Sequence, residues 1–241
     1  KLLDMFEAMT NLWPSFSKLF GGHGCRDVQQ KTKDLLKLIV LGAHNIFLEL
    51  KVQIEKQRKI PPTANDGRVP NVLSFVLNYV KHLVGDFYRP IMTQILDIYE
   101  KWKENNSNIA IAVKDNKATN MVKRSPDQPL SRAVLEIVNA LVLNLQEWAS
   151  LFKEEQPVLF HLFLCNNYWY LSVNFQDSLE LKAMVGEQWI RNKMQESKFH
   201  MSRYMEEGWG KIVYNLNGSN ATTFTSMSRA STRELLKSNL K

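Results

Sequence analysis

The stretch that most constrains this chain is the run Val158 to Leu171, which reads Val-Leu-Phe-His-Leu-Phe-Leu-Cys-Asn-Asn-Tyr-Trp-Tyr-Leu. It is apolar on nearly every side, and a helix of that kind must be covered all round. It is entered through Gln156 and Pro157. Proline is welcome only in a helix's first turn, so a break is expected there and a new helix after it. Upstream, Leu130, Val134, Ile137, Leu141, Leu145, Trp148 and Phe152 recur at steps of four and three. That spacing predicts an amphipathic helix. Together the two segments, Leu130 to Phe175, predict a central rod with neighbouring helices packed on it.

No segment alternates apolar and polar residues in the manner of a strand. The expected fold is all-α: an elongated rod of stacked antiparallel helical bundles, with about five long helices joined by short loops. At 241 residues and 44% apolar, the chain has material for a substantial core. No internal repeat with a period of about 20–50 residues is visible.

In order, residues 1–20 predict a helix with Leu2, Phe6, Met9, Trp13 and Phe16 on one face, ended or kinked by Pro14. Gly21 to Gly24 reads as a loop. It lacks the Gly-Lys-Ser/Thr of a phosphate cradle. A long helix follows from Asp27, a candidate N-cap, to Arg58, and Pro61-Pro62 stops it. A second long segment runs from Pro70, expected at the first helical position, to Trp102. A kink or short break is expected over Gly85–Pro90. Residues 104–127 are rich in Asn, Ser and Lys and predict a mobile basic loop. Beyond Phe175, Gln176-Asp-Ser178 predicts a capped turn. One continuous helix is then expected from Leu179 to about Leu216, burying Leu181, Val185, Trp189, Met194, Met201, Met205, Trp209 and Ile212. Ser231-Thr-Arg-Glu234 has the form of a capping box before Leu235, Leu236 and Leu240.

Charge narrows function only a little. The net charge is +7, which favours acidic partners such as nucleic acid, anionic lipid or an acidic protein face. A candidate anionic patch comprises Lys56, Arg58 and Lys59 with Lys114, Lys117, Lys123 and Arg124. Such a patch adds about 1 kcal/mol of attraction per charge near an anionic membrane. Cys25 and Cys165 cannot build a disulfide framework, and a reducing compartment is the simpler expectation. The longest apolar run, Leu35 to Leu50, is too short and too polar to span a bilayer.

Catalytic and metal chemistry find little support. His161 and Cys165 lie one helical turn apart, but no third ligand follows at a recognisable spacing. His23 and Cys25 flank a glycine in the same unsupported way. Glu154-Glu155 and Glu206-Glu207 are adjacent pairs, and adjacent helical residues diverge too far to share a reacting atom. Asn166 and Asn167 stand out differently. Amides inside an apolar helix must find partners, so these two are expected to serve as structural polar groups in the core.

Several strings together resemble one family. Leu2-Leu-Asp-Met-Phe-Glu-Ala-Met9, with Leu12, Pro14, Phe16 and Leu19-Phe20, resembles the opening of the C-terminal region of the exocyst Exo-seventy subunit, particularly its plant forms. Leu162-Phe-Leu-Cys-Asn-Asn167 is similar to that family's Leu-Phe-x-Met-Asn-Asn, with Cys165 in place of Met. Leu181 to Arg191 resembles its Leu-Leu-Gly-Asp-Asp-Trp motif, with Glu187 and Gln188 replacing the acids. Tyr204 with Gly208-Trp-Gly-Lys-Ile212, and Ser231 to Leu240, match two further stretches in order.

The resemblance implies a non-enzymatic subunit without cofactors that tethers secretory vesicles to the plasma membrane in exocytosis. It implies that residues 1–241 are part of one helical domain, incomplete at both ends. Its implied partners are other exocyst subunits, small GTPases and an anionic surface carrying phosphatidylinositol 4,5-bisphosphate, whose main site is expected outside this chain. An immunity-related paralogue would instead dock a foreign or regulatory protein. Nucleic acid is not an implied partner. The implied location is cytoplasmic, peripheral at the plasma membrane and on secretory vesicles.

Overall fold

The computed structural model describes residues 1–60, 66–111 and 128–218, with the side chains of 23, 105–111, 128 and 211–218 outside the description. Among the described residues there are eight α-helices, one short 3-10 turn and no strand, so the all-α expectation holds. The helices are α1 Leu2–Leu19, α2 Arg26–Gln57, α3 Asn71–Val84, α4 Tyr88–Ile111, α5 Gln128–Ser150, α6 Pro157–Asp177, α7 Leu179–Val185 and α8 Glu187–Gly218.

Two apolar clusters organise them. At one end α1 packs on α2 and α4, burying Phe6, Ile39, Val40, Ala43, Ile91 and Ile95. The larger cluster joins the second half of α2 to α3, α4, α5, α6, α7 and the start of α8, with Phe47, Leu77, Leu141, Phe163, Tyr168 and Phe175 inside it. At the other end α8 packs on α6 and α7. Helix α6 and helix α8 run antiparallel, since Val158 meets Gly208, Cys165 meets Ser197 and Phe175 meets Trp189. The expected central rod is therefore α5 and α6, and α6 is buried or half-buried along its middle except at Trp169.

The helix boundaries follow local chemistry with five corrections. Pro157 sits in the first turn of α6, and the chain breaks at 85–87 between α3 and α4. Pro90 then falls in the first turn of α4, where no N–H is needed. Pro14, in contrast, does not end α1, which continues to Leu19. A proline inside a helix costs one backbone bond, and the packing of α1 on α2 and α4 carries the helix past it. Asp27 is not the N-cap of α2. Cys25 holds that position without a side-chain bond, and Asp27 sits in the first turn, where a carboxylate still suits the helix dipole. Pro70 is the N-cap of α3 rather than its first helical residue.

The largest correction is at Gly186. The expected single helix from Leu179 is two, because Gly186 ends α7 at φ +82 before α8 begins. That conformation is strained for any residue with a Cβ. Ser178 caps α7 by accepting from the Leu181 amide at 3.3 Å. Burial also differs along this stretch. Leu181 and Met184 are buried, but Met201, Met205 and Trp209, expected inside, are exposed. Periodicity sets which residues share a face, and only a neighbouring element decides whether that face is covered. The stretch read as a loop from Glu104 is helical as far as Ile111. Residues 112–127 and 219–241 lie outside the described residues. With them go the expected basic loop's remainder and the capping-box segment.

Candidate functional site

The basic residues at the end of α2 do not form a uniform patch. Asn144 of α5 donates from Nδ2 to the Ile54 carbonyl at 2.6 Å and accepts on Oδ1 from Arg58 Nε at 3.3 Å. Trp148 Nε1 donates to the Arg58 carbonyl at 3.0 Å. Arg58 is thus half-buried and braced against α5. Such cross-helix bonds to backbone carbonyls satisfy the orphan groups at a helix C-terminus. Lys56 is exposed and stands 3.8 Å from Glu49, and Lys59 is exposed. Nearby, Lys51 pairs with Glu136 of α5 at 3.0 Å, and its hydrogen bond to that carboxylate raises its pKa. The other four members of the candidate patch, Lys114, Lys117, Lys123 and Arg124, lie outside the described residues.

Asn166 and Asn167 reach the segment that leads into α3. Asn166 donates to the Gly67 carbonyl at 2.9 Å. Asn167 donates to the Phe163 carbonyl at 2.8 Å and, at 3.5 Å, to that of Arg68. Gly67 has φ +73, and a Cβ there would stand 3.0 Å from Leu162. Glycine is therefore required twice over, by conformation and by space. Asp66 completes the turn, accepting from the Arg68 amide at 3.1 Å and pairing with its Nε at 2.8 Å. Asn167 is fully buried, and its Oδ1 has no donor among the described residues. An acceptor in that state costs stability unless a water fills the need.

His161 and Cys165 both face α8 but do not converge on one point. His161 Nδ1 lies 2.9 Å from His200 Nδ1, and His161 Nε2 lies 3.4 Å from Glu207 Oε1. A hydrogen bond between the two imidazoles requires one ring nitrogen to donate and the other to accept. His200 is pushed down to about 4, first by burial and then by His161, against the opposing charge of Glu196. Cys165 instead meets Ser197, whose hydroxyl donates to the Cys165 carbonyl at 3.0 Å. Lys193 adds a buried charge to this seam. Both Glu196 oxygens lie within 2.9 Å of it, and the Tyr168 ring centroid lies 4.9 Å away. Burial pushes the Tyr168 hydroxyl up to about 12. Glu206 pairs with Arg203, whereas Glu207 reaches His161. Among the described residues no group of three or more His, Cys, Asp or Glu side chains is placed to hold a metal.

The arrangement is therefore a set of braces between helices. α2 is tied to α5, the α3 entry to α6, and α6 to α8. Across its whole length, residues 1–241, the sequence matches the family described as the C-terminal part of Exo70, a component of the exocyst complex. The chain belongs to that family. It is similar to exocyst complex component EXO70I of Medicago truncatula, at 27% identity over an alignment that covers 88% of this chain and 28% of that protein. It is also similar to EXO70A1 of Arabidopsis thaliana, at 27% identity covering 92% of this chain and 31% of that protein. EXO70A3 of the same plant matches at 28% identity, covering 88% of this chain and 31% of that protein. The chain thus spans less than a third of the length of these three Exo70 relatives. No helix among the described residues is long and apolar enough to cross a membrane.

Asn144, Trp148, Ser197, Lys193 and His200 complete these braces, and the sequence offered only a faint sign of them. Asn144 is a polar residue at a core-facing step of α5, three residues past Leu141. That interruption is the one signal that would have drawn attention to it.

Proposed function

We propose that this chain serves as part of an exocyst subunit that tethers secretory vesicles to the plasma membrane, acting as a non-enzymatic helical scaffold that docks other proteins. The observation that carries this reading is the match of the whole chain to the Exo70 C-terminal family. Its Exo70 relatives are named as components of the exocyst complex. The physical support is the bracing described above. Long helices tied to one another by side chain to backbone bonds hold a fixed surface, and a fixed surface loses little entropy on docking a partner. Other exocyst subunits are the first partners. Small GTPases are further candidates for the same surface, as is a foreign or regulatory protein in an immunity-related paralogue. The location proposed is cytoplasmic and peripheral, at the plasma membrane and on secretory vesicles. The test immobilises the chain and titrates each of the other exocyst subunits of a plant across it. Saturable binding to at least one supports the reading, and binding to none sinks it.

A second reading is a peripheral module for anionic phosphoinositides. It is favoured by the exposure of Lys56 and Lys59 side by side at the end of α2 and by the net charge of +7. Co-sedimentation with vesicles carrying phosphatidylinositol 4,5-bisphosphate checks it. Binding that survives physiological salt and falls in Lys56→Glu with Lys59→Glu supports a lipid site here. Loss of all binding at that salt removes it.

A further inference from the structure

Met201, Met205 and Trp209 lie four residues apart in turn along the outer half of α8, and they are 47%, 50% and 48% exposed. Four-residue steps put them on one slowly turning stripe of the helix. Large apolar side chains lined up in water are unfavourable and call for a covering surface. Another face of α8 already has its cover, since Ile190, Lys193 and Ser197 are buried against its neighbours.

The chain carries a matching surface a short distance on. Ser231-Thr-Arg-Glu234 has the form of a helix start, and Leu235, Leu236 and Leu240 follow in otherwise polar sequence. A segment with apolar residues on one side only must bury that side against something else. Its reach is sufficient. From Gly218 back to Met201 along α8 is about 26 Å at helical rise. Residues 219–230 can span about 40 Å when extended.

We propose that the Met201–Met205–Trp209 stripe is the seat of the chain's own segment 231–241, docked through Leu235, Leu236 and Leu240. The stripe is then an internal surface of the Exo70 domain and not a docking face for another protein. The proposal rests on exposure and reach alone and stands apart from the tethering reading.

The test is peroxide oxidation of the full chain, followed residue by residue by mass spectrometry. Met5 on α1 is 46% exposed and supplies an internal standard. Left uncovered, Met201 and Met205 would oxidise as fast as Met5, because oxidation to sulfoxide follows access. The expected result is that both oxidise at least about 3-fold more slowly than Met5. In a chain carrying Leu236→Asp and Leu240→Asp, both should rise to the Met5 rate while helical circular dichroism is retained. Equal rates in the wild-type chain overturn the proposal. So does protection that survives the double variant. Protection that disappears on dilution of the wild-type chain assigns the stripe to a second copy and also overturns it.

Discussion

The α2–α5–α6 centre and the α6–α8 seam are both closely packed, but different chemistry holds them. In the centre, apolar side chains fill the space, and neutral amides reach the backbone carbonyls of other segments: Asn144 to Ile54, Asn166 to Gly67 and Asn167 to Arg68. In the seam the contacts are titratable: His161 with His200, His161 with Glu207, Lys193 with Glu196. The centre's apolar packing and amide bonds should therefore respond to lost volume and be indifferent to pH, apart from the Lys51–Glu136 pair at its surface. The seam should respond to protons. A rod built this way keeps a fixed middle and places His200, depressed by burial, in the α6–α8 seam; His44 on α2, also depressed by burial, lies outside that seam.

The largest expected effect breaks the centre. Leu141 is 2% exposed, and Leu141→Ala should cost about 2–5 kcal/mol by urea unfolding. A loss under about 1 kcal/mol would mean that α5 does not form the packed middle. Next, Asn144→Ala removes the partner of both the Ile54 carbonyl and Arg58, and should cost about 1–3 kcal/mol. Gly67→Ala should cost about 1–2 kcal/mol from backbone conformation alone, with the contact on Leu162 adding to it. All three losses should be the same at pH 8 and at pH 5, and a loss that changes with pH erases the contrast between the two regions.

The smallest effect sharpens the seam. His200 has a folded pKa near 4 against an ordinary value of 6.5. Its folded pKa is depressed, so the unfolded chain binds the proton first. The neutral imidazole's contribution is then fully present above about 6.5 and is lost as pH falls toward 4. The melting temperature should decline over that window. Exposed carboxylates such as Glu187 also contribute to acid sensitivity, because Lys182 holds its pKa down. The decisive comparison is therefore with His200→Gln, whose decline should be shallower between pH 6.5 and pH 4. Identical slopes for the two proteins would remove His200 as the cause. Asn144→Ala should keep the wild-type slope.

Much of the helical order was legible because it is local. The step of four and three from Leu130 to Phe152 announces α5, and Pro157 marks the start of α6 where the helix begins. The break between α3 and α4 follows from Gly85 and Pro90 within five residues of each other. The braces were less legible. Asn166 and Asn167 stood out as amides in an apolar helix, but the carbonyls they reach belong to residues 99 positions away. Nothing in the pattern near Arg58 signalled that Asn144 would hold it.

Residue order alone is enough to make this chain helical, to place its helix breaks roughly, and to carry the motifs of its family. Those properties rest on backbone propensity and on residues close together in the chain. Packing in three dimensions settles that α1 passes through Pro14 and that Met201, Met205 and Trp209 face outward among the described residues. Each of those outcomes depends on what lies across from the residue. A periodic face records only which side chains travel together; whether it ends in the core or in water is fixed by the neighbouring helix that arrives to cover it.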